Sequence, residues 1–207
     1  MIRDIISNDS LTLILFASFL LIIILKKIDP NIFNQIISFS KKDSRNSMSN
    51  NFIGIKFYEI IYNILFISNL SVFFTFFSNK NFDIIIYIKY IKYLIVFFTI
   101  KILLEMIIGG LFSINKIIKN YIWLKLIFNN SLGIILLLFN FLIAYSTFDN
   151  DNLISILMSL SLFYFLYGYL SIFFSMKKVV YKNWFYFILY LCTLEIIPYY
   201  YLISSIL

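Results

Sequence analysis

All three glutamates of this 207-residue chain, Glu59, Glu105 and Glu195, fall inside long apolar stretches. All seven aspartates fall between those stretches or at their ends. An ionisable group at bilayer depth is costly unless it is paired or wet, and it tends to mark a proton or ion pathway or a buried ion pair. Glu59 lies about one turn inside its stretch, from where it can snorkel. Lys101 precedes Glu105 by one helical turn, so the two share a face. Glu195 stands three residues before Pro198. Proline has no N–H, so the Leu194 carbonyl loses its helical partner there and leaves a polar niche and a hinge. Lys101, Glu105 and Glu195 are therefore the candidate polar cluster. Its chemistry is either a register-fixing ion pair or a proton or ligand site.

The remaining chemistry is sparse. There is no histidine, which removes the commonest general base and metal ligand. A Ser–His pair, a His-ligated metal and an intramembrane aspartyl dyad are all excluded as catalytic devices. Cys192 is the one cysteine, lies in an apolar stretch and has no activating base beside it. No glycine-rich phosphate loop is present. No catalytic residue, metal site or cofactor is expected.

The elements that must position the cluster are membrane spans. The chain is 62% hydrophobic and 13% charged, far less charged than a soluble domain. A single all-α transmembrane domain over residues 1–207 is predicted, with six spans. The first is Leu11 to Leu25, begun by Asp9 or Ser10 as N-cap and closed by Lys26 and Lys27. Asp29-Pro30 then starts an amphipathic interfacial helix with Ile32, Phe33, Ile36 and Ile37 on one side. Residues 40–51 are polar and are expected to form a mobile cytoplasmic loop.

Span two runs from Ile55 to Phe77. Its Ser68, Ser71 and Thr75 step by three and four, a seam for close helix packing. Phe73, on the other side, is expected to face lipid. Span three runs from Ile84 to Phe112, with Gly109 and Gly110 loosening its end. Ser113 to Asn130 reads as a second amphipathic interfacial helix with Trp123 as an interface anchor. Lys125 falls on its apolar side, which implies a bend or an end before it. Span four is Ser131 to Tyr145 and span five Leu153 to Phe174. Ser161, Gly168 and Ser171 form a second packing seam in span five. Span six is Trp184 to Leu207.

Lysines and arginine gather in alternate loops: Lys26, Lys27, Lys41, Lys42 and Arg45; Lys116, Lys119 and Lys125; Lys177, Lys178 and Lys182. The positive-inside rule places these loops in the cytoplasm and both termini outside. The net charge of +7 is thus loop charge and calls for no nucleic acid. Lys101 and Glu195 each lie twelve residues from a cytoplasmic end, about 18 Å deep. Equal depth predicts that they pair, with Glu105 on the same face.

Span one, Lys101-Ile102-Leu103-Leu104-Glu105-Met106-Ile107-Ile108-Gly109-Gly110-Leu111-Phe112-Ser113-Ile114 and the final run Phe185 to Pro198 carry a resemblance. Within that run, Leu189-Tyr190-Leu191-Cys192-Thr193-Leu194-Glu195-Ile196-Ile197-Pro198 is its most specific part. Together these stretches resemble the domain of unknown function 4271 family of bacteroidete membrane proteins. An aromatic residue expected near the start of span one is replaced by Leu11. The resemblance covers nearly the whole chain. It implies a flavobacterial inner-membrane protein from a low-GC genome, and it implies no activity.

The expected function is a non-enzymatic membrane component, a structural or assembly part of an envelope complex. Its partners would be the bilayer and another membrane protein. A small secondary transporter or proton-coupled subunit using Lys101, Glu105 and Glu195 is the alternative. An intramembrane enzyme is the third reading.

Overall fold

A computed structural model describes residues 9–39, 57–79, 82–111, 115–146 and 150–175. Within them the chain is helical and contains no strand. The helices are α1 (Asp9–Ile28), α2 (Pro30–Ser38), α3 (Phe57–Asn79), α4 (Ile84–Leu111), α5 (Asn115–Tyr145) and α6 (Asn150–Ser175). All but α2 are long and apolar enough to cross a membrane. The protein is an all-α polytopic membrane protein. The predicted sixth span, with Cys192, Glu195 and Pro198, lies outside the described residues, as does the predicted loop 40–51.

Local signals start the helices where the sequence places them. The Asp29 carboxylate accepts from the Asn31 and Ile32 amides at 3.1 and 3.3 Å, and Pro30 opens α2. Asp83 accepts from the Ile85 amide at 2.8 Å and so caps α4. Such caps satisfy amides that the first helical turn leaves without partners.

The largest difference from expectation is α5. The stretch read as an interfacial helix followed by span four is one helix of 31 residues, about 46 Å long. Every residue from Tyr121 to Gly133 is buried. Lys125 therefore neither ends nor bends the helix. The reason is position: α5 is the axis of the bundle, packed by α3, α4 and α6, with α1 and α2 also against it. Its amphipathic pattern reflects packing on several helices rather than a face laid on lipid.

α3 is the closest partner of α5. The two run parallel, with Asn63 beside Asn130, Phe66 beside Gly133 and Asn69 beside Asn140. α4 runs antiparallel to α3, and the Phe66–Phe98 and Phe74–Tyr90 ring pairs fix its register. Because α3 is central, Phe73 is only 2% exposed and does not face lipid. The outward faces of α1, α4 and α6 carry exposed Leu, Ile and Phe, as lipid contact requires.

α2 folds back on the bundle rather than standing away from it. Ile32, Ile36 and Phe39 are buried, whereas Ile37 is exposed. The Phe39 ring meets Phe128 of α5, with centroids 5.5 Å apart. Phe128 also stacks on Tyr164 at 5.6 Å and meets Phe165 and Tyr169. One α5 side chain thus joins α2 to α6.

Candidate functional site

Three helices each present a pair of buried polar residues one turn apart: Glu59 and Asn63 on α3, Lys101 and Glu105 on α4, and Lys125 and Asn129 on α5. Residues four apart lie on one helix face, so each pair points in a common direction. The α3–α4 register puts Glu59 level with Glu105, and Lys125 reaches the same level from α5. The six residues form one polar layer.

The centre of the layer is an ion pair between Lys125 Nζ and Glu105 Oε1. Both side chains are nearly inaccessible, and the Lys125 ammonium also lies 5.6 Å from the Tyr121 ring centroid. Lys101, 2% exposed, stands one turn from Glu105. Lys101, Lys125, Asn63 and Asn129 border a small cavity of about 10 Å³, lined also by Phe98, Ile102, Ile122 and Leu126. That is about the least space that holds one water molecule.

Glu59 does not snorkel. It is 2% exposed, and its carboxylate accepts the Trp123 indole N–H at 3.0 Å. The Glu59 carbonyl accepts from Asn130 Nδ2 at 3.3 Å. Trp123, 5% exposed, is an interior hydrogen-bond donor and not an interface anchor. Both corrections follow from α5 passing through the interior.

A polar ladder continues along the α3–α5 contact. Asn63 Nδ2 reaches Asn130 Oδ1 at 3.5 Å, and Asn140 Nδ2 donates to the Asn69 carbonyl at 2.8 Å. Between these rungs a Cβ on Gly133 would lie 2.8 Å from Phe66 Cα. Only glycine permits that approach.

The structure brings Lys101 and Glu105 into one layer, while Glu195 and Pro198 lie outside the described residues. Gly109 and Gly110 both sit within α4, which runs on to Leu111. A Cβ on Gly109 would meet Asn115 Oδ1 at 3.1 Å and Ile118 at 3.4 Å, so it serves a close α4–α5 approach. Gly110 faces open space. Ser71 and Thr75 are fully buried, and their hydroxyls bond back to Ile67, Ser71 and Val72 carbonyls of their own helix. Ser68 shares a 2.8 Å hydrogen bond with the Tyr87 hydroxyl of α4. On α6, Ser161 bonds the Met158 carbonyl, and Ser171 is buried. Gly168 lies against Phe128, whose ring would be 2.0 Å from an added Cβ.

Sequence reasoning missed Lys125, Trp123, Gly133 and the asparagines of α3 and α5. Lys125 carried a usable signal, a lysine on an apolar helix face. The asparagines carried another, since Asn63, Asn69, Asn129, Asn130 and Asn140 are amides in apolar surroundings.

Among the described residues no three His, Cys, Asp or Glu gather as metal ligands. No curated protein and no solved structure matches the chain. The family model described as "Domain of unknown function (DUF4271)" matches residues 11–206, nearly the whole length, and the chain belongs to that family.

Proposed function

We propose that this protein is a non-catalytic structural or assembly component of a membrane complex. The observation that carries the reading is the engagement of the buried charges by the bundle itself. Glu105 is held by Lys125 and Glu59 by Trp123. The cavity beside them has room for about one water and not for a solute. Buried polar pairs of this kind fix helix register. They suit a scaffold more than a conduit, which needs a wetted path. The partner would be another membrane protein, met through the exposed apolar faces.

The proposed location is a bacterial cytoplasmic membrane with both termini outside. Lys26 and Lys27 are exposed at the end of α1, in keeping with a positively charged inner rim. The polar layer lies at that same end of the bundle, since Glu59 is in the first turn of α3. Reporter fusions at Ser47 and Lys178 should read cytoplasm, and a fusion at Asn150 should read outside. The reverse pattern overturns the orientation.

A proton-coupled subunit is the second reading, favoured by two buried lysines bordering one cavity. Reconstitution separates the two. The scaffold reading expects purified protein in sealed liposomes to show no proton or sodium flux. It also expects native-gel migration in a larger complex before purification. Flux abolished by Lys101→Met would overturn it.

A further inference from the structure

Three helices meet α5 on three different sides. α3 touches it at Trp123, Asn130 and Gly133. α4 touches it at Ile118 and Lys125, and α6 at Phe128 and Ser131. At about 100° of turn per residue, Tyr121 and Leu132 point between the α4 side and the α6 side. α4 and α6 scarcely touch each other. Tyr121 and Leu132 are nevertheless only 3% and 6% exposed.

The walls of this cleft are apolar and aromatic. Tyr93 and Phe97 stand in one row with Lys101 on α4, and Phe165 and Tyr169 stand in one row on α6. All four rings are half-buried, and none is without a partner. Something therefore fills the cleft. Leu132 lies seventeen residues along α5 from Asn115, about 25 Å from that end. Residues 40–56 carry Lys41, Lys42, Asp43 and Arg45, which an apolar cleft does not take. Residues 1–8, 80–81, 112–114 and 147–149 are too short to line it. Residues 184–207 are apolar and long enough, at about 36 Å as a helix. They begin eight residues beyond the end of α6, and those eight span up to about 28 Å, more than the step to a neighbouring helix.

We propose that Trp184–Leu207 seats in the cleft between α4 and α6, running antiparallel to α6 and parallel to α5. The end of α6 and the start of α5 lie at one end of the bundle, since Phe128 faces Gly168 and Ser131 bonds Tyr164. Glu195 is eleven residues into the segment and Lys125 ten residues into α5, so both come about 15 Å from that end. The seat thus adds Glu195 to the polar layer of Lys101, Glu105 and Lys125. It also leaves partners only the outer faces of the bundle. The inference stands on the covered side of α5 and not on the scaffold assignment.

The test is cysteine cross-linking of the full chain in native membranes, in a Cys192→Ser background. Phe97→Cys on α4 and Phe165→Cys on α6 are each paired with single cysteines at successive positions from Glu195 to Ser204. Tyr93→Cys and Tyr169→Cys serve as a second pair of walls if the first variants do not accumulate. Both walls should form disulfides within one chain, at partner positions three or four apart, and the two sets should fall on different faces of the segment. Leu103→Cys and Phe163→Cys, on outward faces of α4 and α6, should form none. Absence of disulfides from both walls overturns the proposal and leaves the cleft to lipid or another protein. Disulfides only between two chains give the cleft to a second copy and also overturn it. Equal yields from Leu103→Cys and Phe163→Cys place the segment outside the cleft, which again refutes the seat.

Discussion

The Trp123 indole donates to the Glu59 carboxylate across 3.0 Å, with both side chains buried between α3 and α5. A tryptophan placed by composition at a membrane interface is instead the partner of a buried acid. Trp123→Phe keeps the ring and removes the donor, and it should lower stability by about 1–3 kcal/mol. In a Trp184→Phe background, lipids brominated at any depth should quench Trp123 fluorescence weakly. Strong quenching by shallow bromines would return Trp123 to the interface.

Gly133 and Gly168 mark two close approaches on α5 and α6. Gly133→Ala places a Cβ 2.8 Å from backbone Phe66 Cα, and backbone cannot move cheaply. Overpacking of this kind costs about 1–3 kcal/mol. Gly168→Leu must displace the Phe128 ring and should cost at least as much. Gly110→Ala meets nothing within 4 Å and should be neutral or stabilising by up to about 1 kcal/mol. Phe163→Leu, on an exposed face of α6, should be mild. Thermal melts of the four variants check the ranking, and a Gly133→Ala melt equal to wild type removes the close approach.

The Asn140 amide reaches the Asn69 carbonyl at 2.8 Å, with both residues fully buried. The Oδ1 atoms of Asn69 and Asn140 accept no hydrogen bond among the described residues. Asn140→Leu removes one bond between helices and one costly buried acceptor together. Such bonds in membranes are worth about 0.6 kcal/mol on average. The net loss should therefore be small, under about 1 kcal/mol. A loss above about 2 kcal/mol would show that the ladder is the main tie between α3 and α5.

The helices were legible in the sequence because span length and caps are local. Asp29-Pro30 announces α2, and Lys26 and Lys27 announce the end of α1. The face of Lys101 and Glu105 was legible from their spacing. Their described surroundings were not, because pairing between α4 and α5 depends on a register that no local pattern sets. Lys125 illustrates the difficulty. On an isolated amphipathic helix it is misplaced, whereas in the axis of a bundle it is the counter-charge of Glu105. Phe73 fails for the same reason: a central helix has no lipid side at that level.

The account rests on the Lys125–Glu105 pair, and a double-mutant cycle tests it most directly. Lys125→Met alone strands a buried acid and should cost about 3–5 kcal/mol, and Glu105→Gln alone should cost a similar amount. The double variant removes both charges and should recover a large part of either loss, a coupling of about 2 kcal/mol or more. Thermal unfolding of the four proteins in one detergent gives the coupling. Recovery in the double variant is the predicted result. Additive losses, with the double variant as unstable as the sum of the singles, would contradict the ion pair and with it the polar layer.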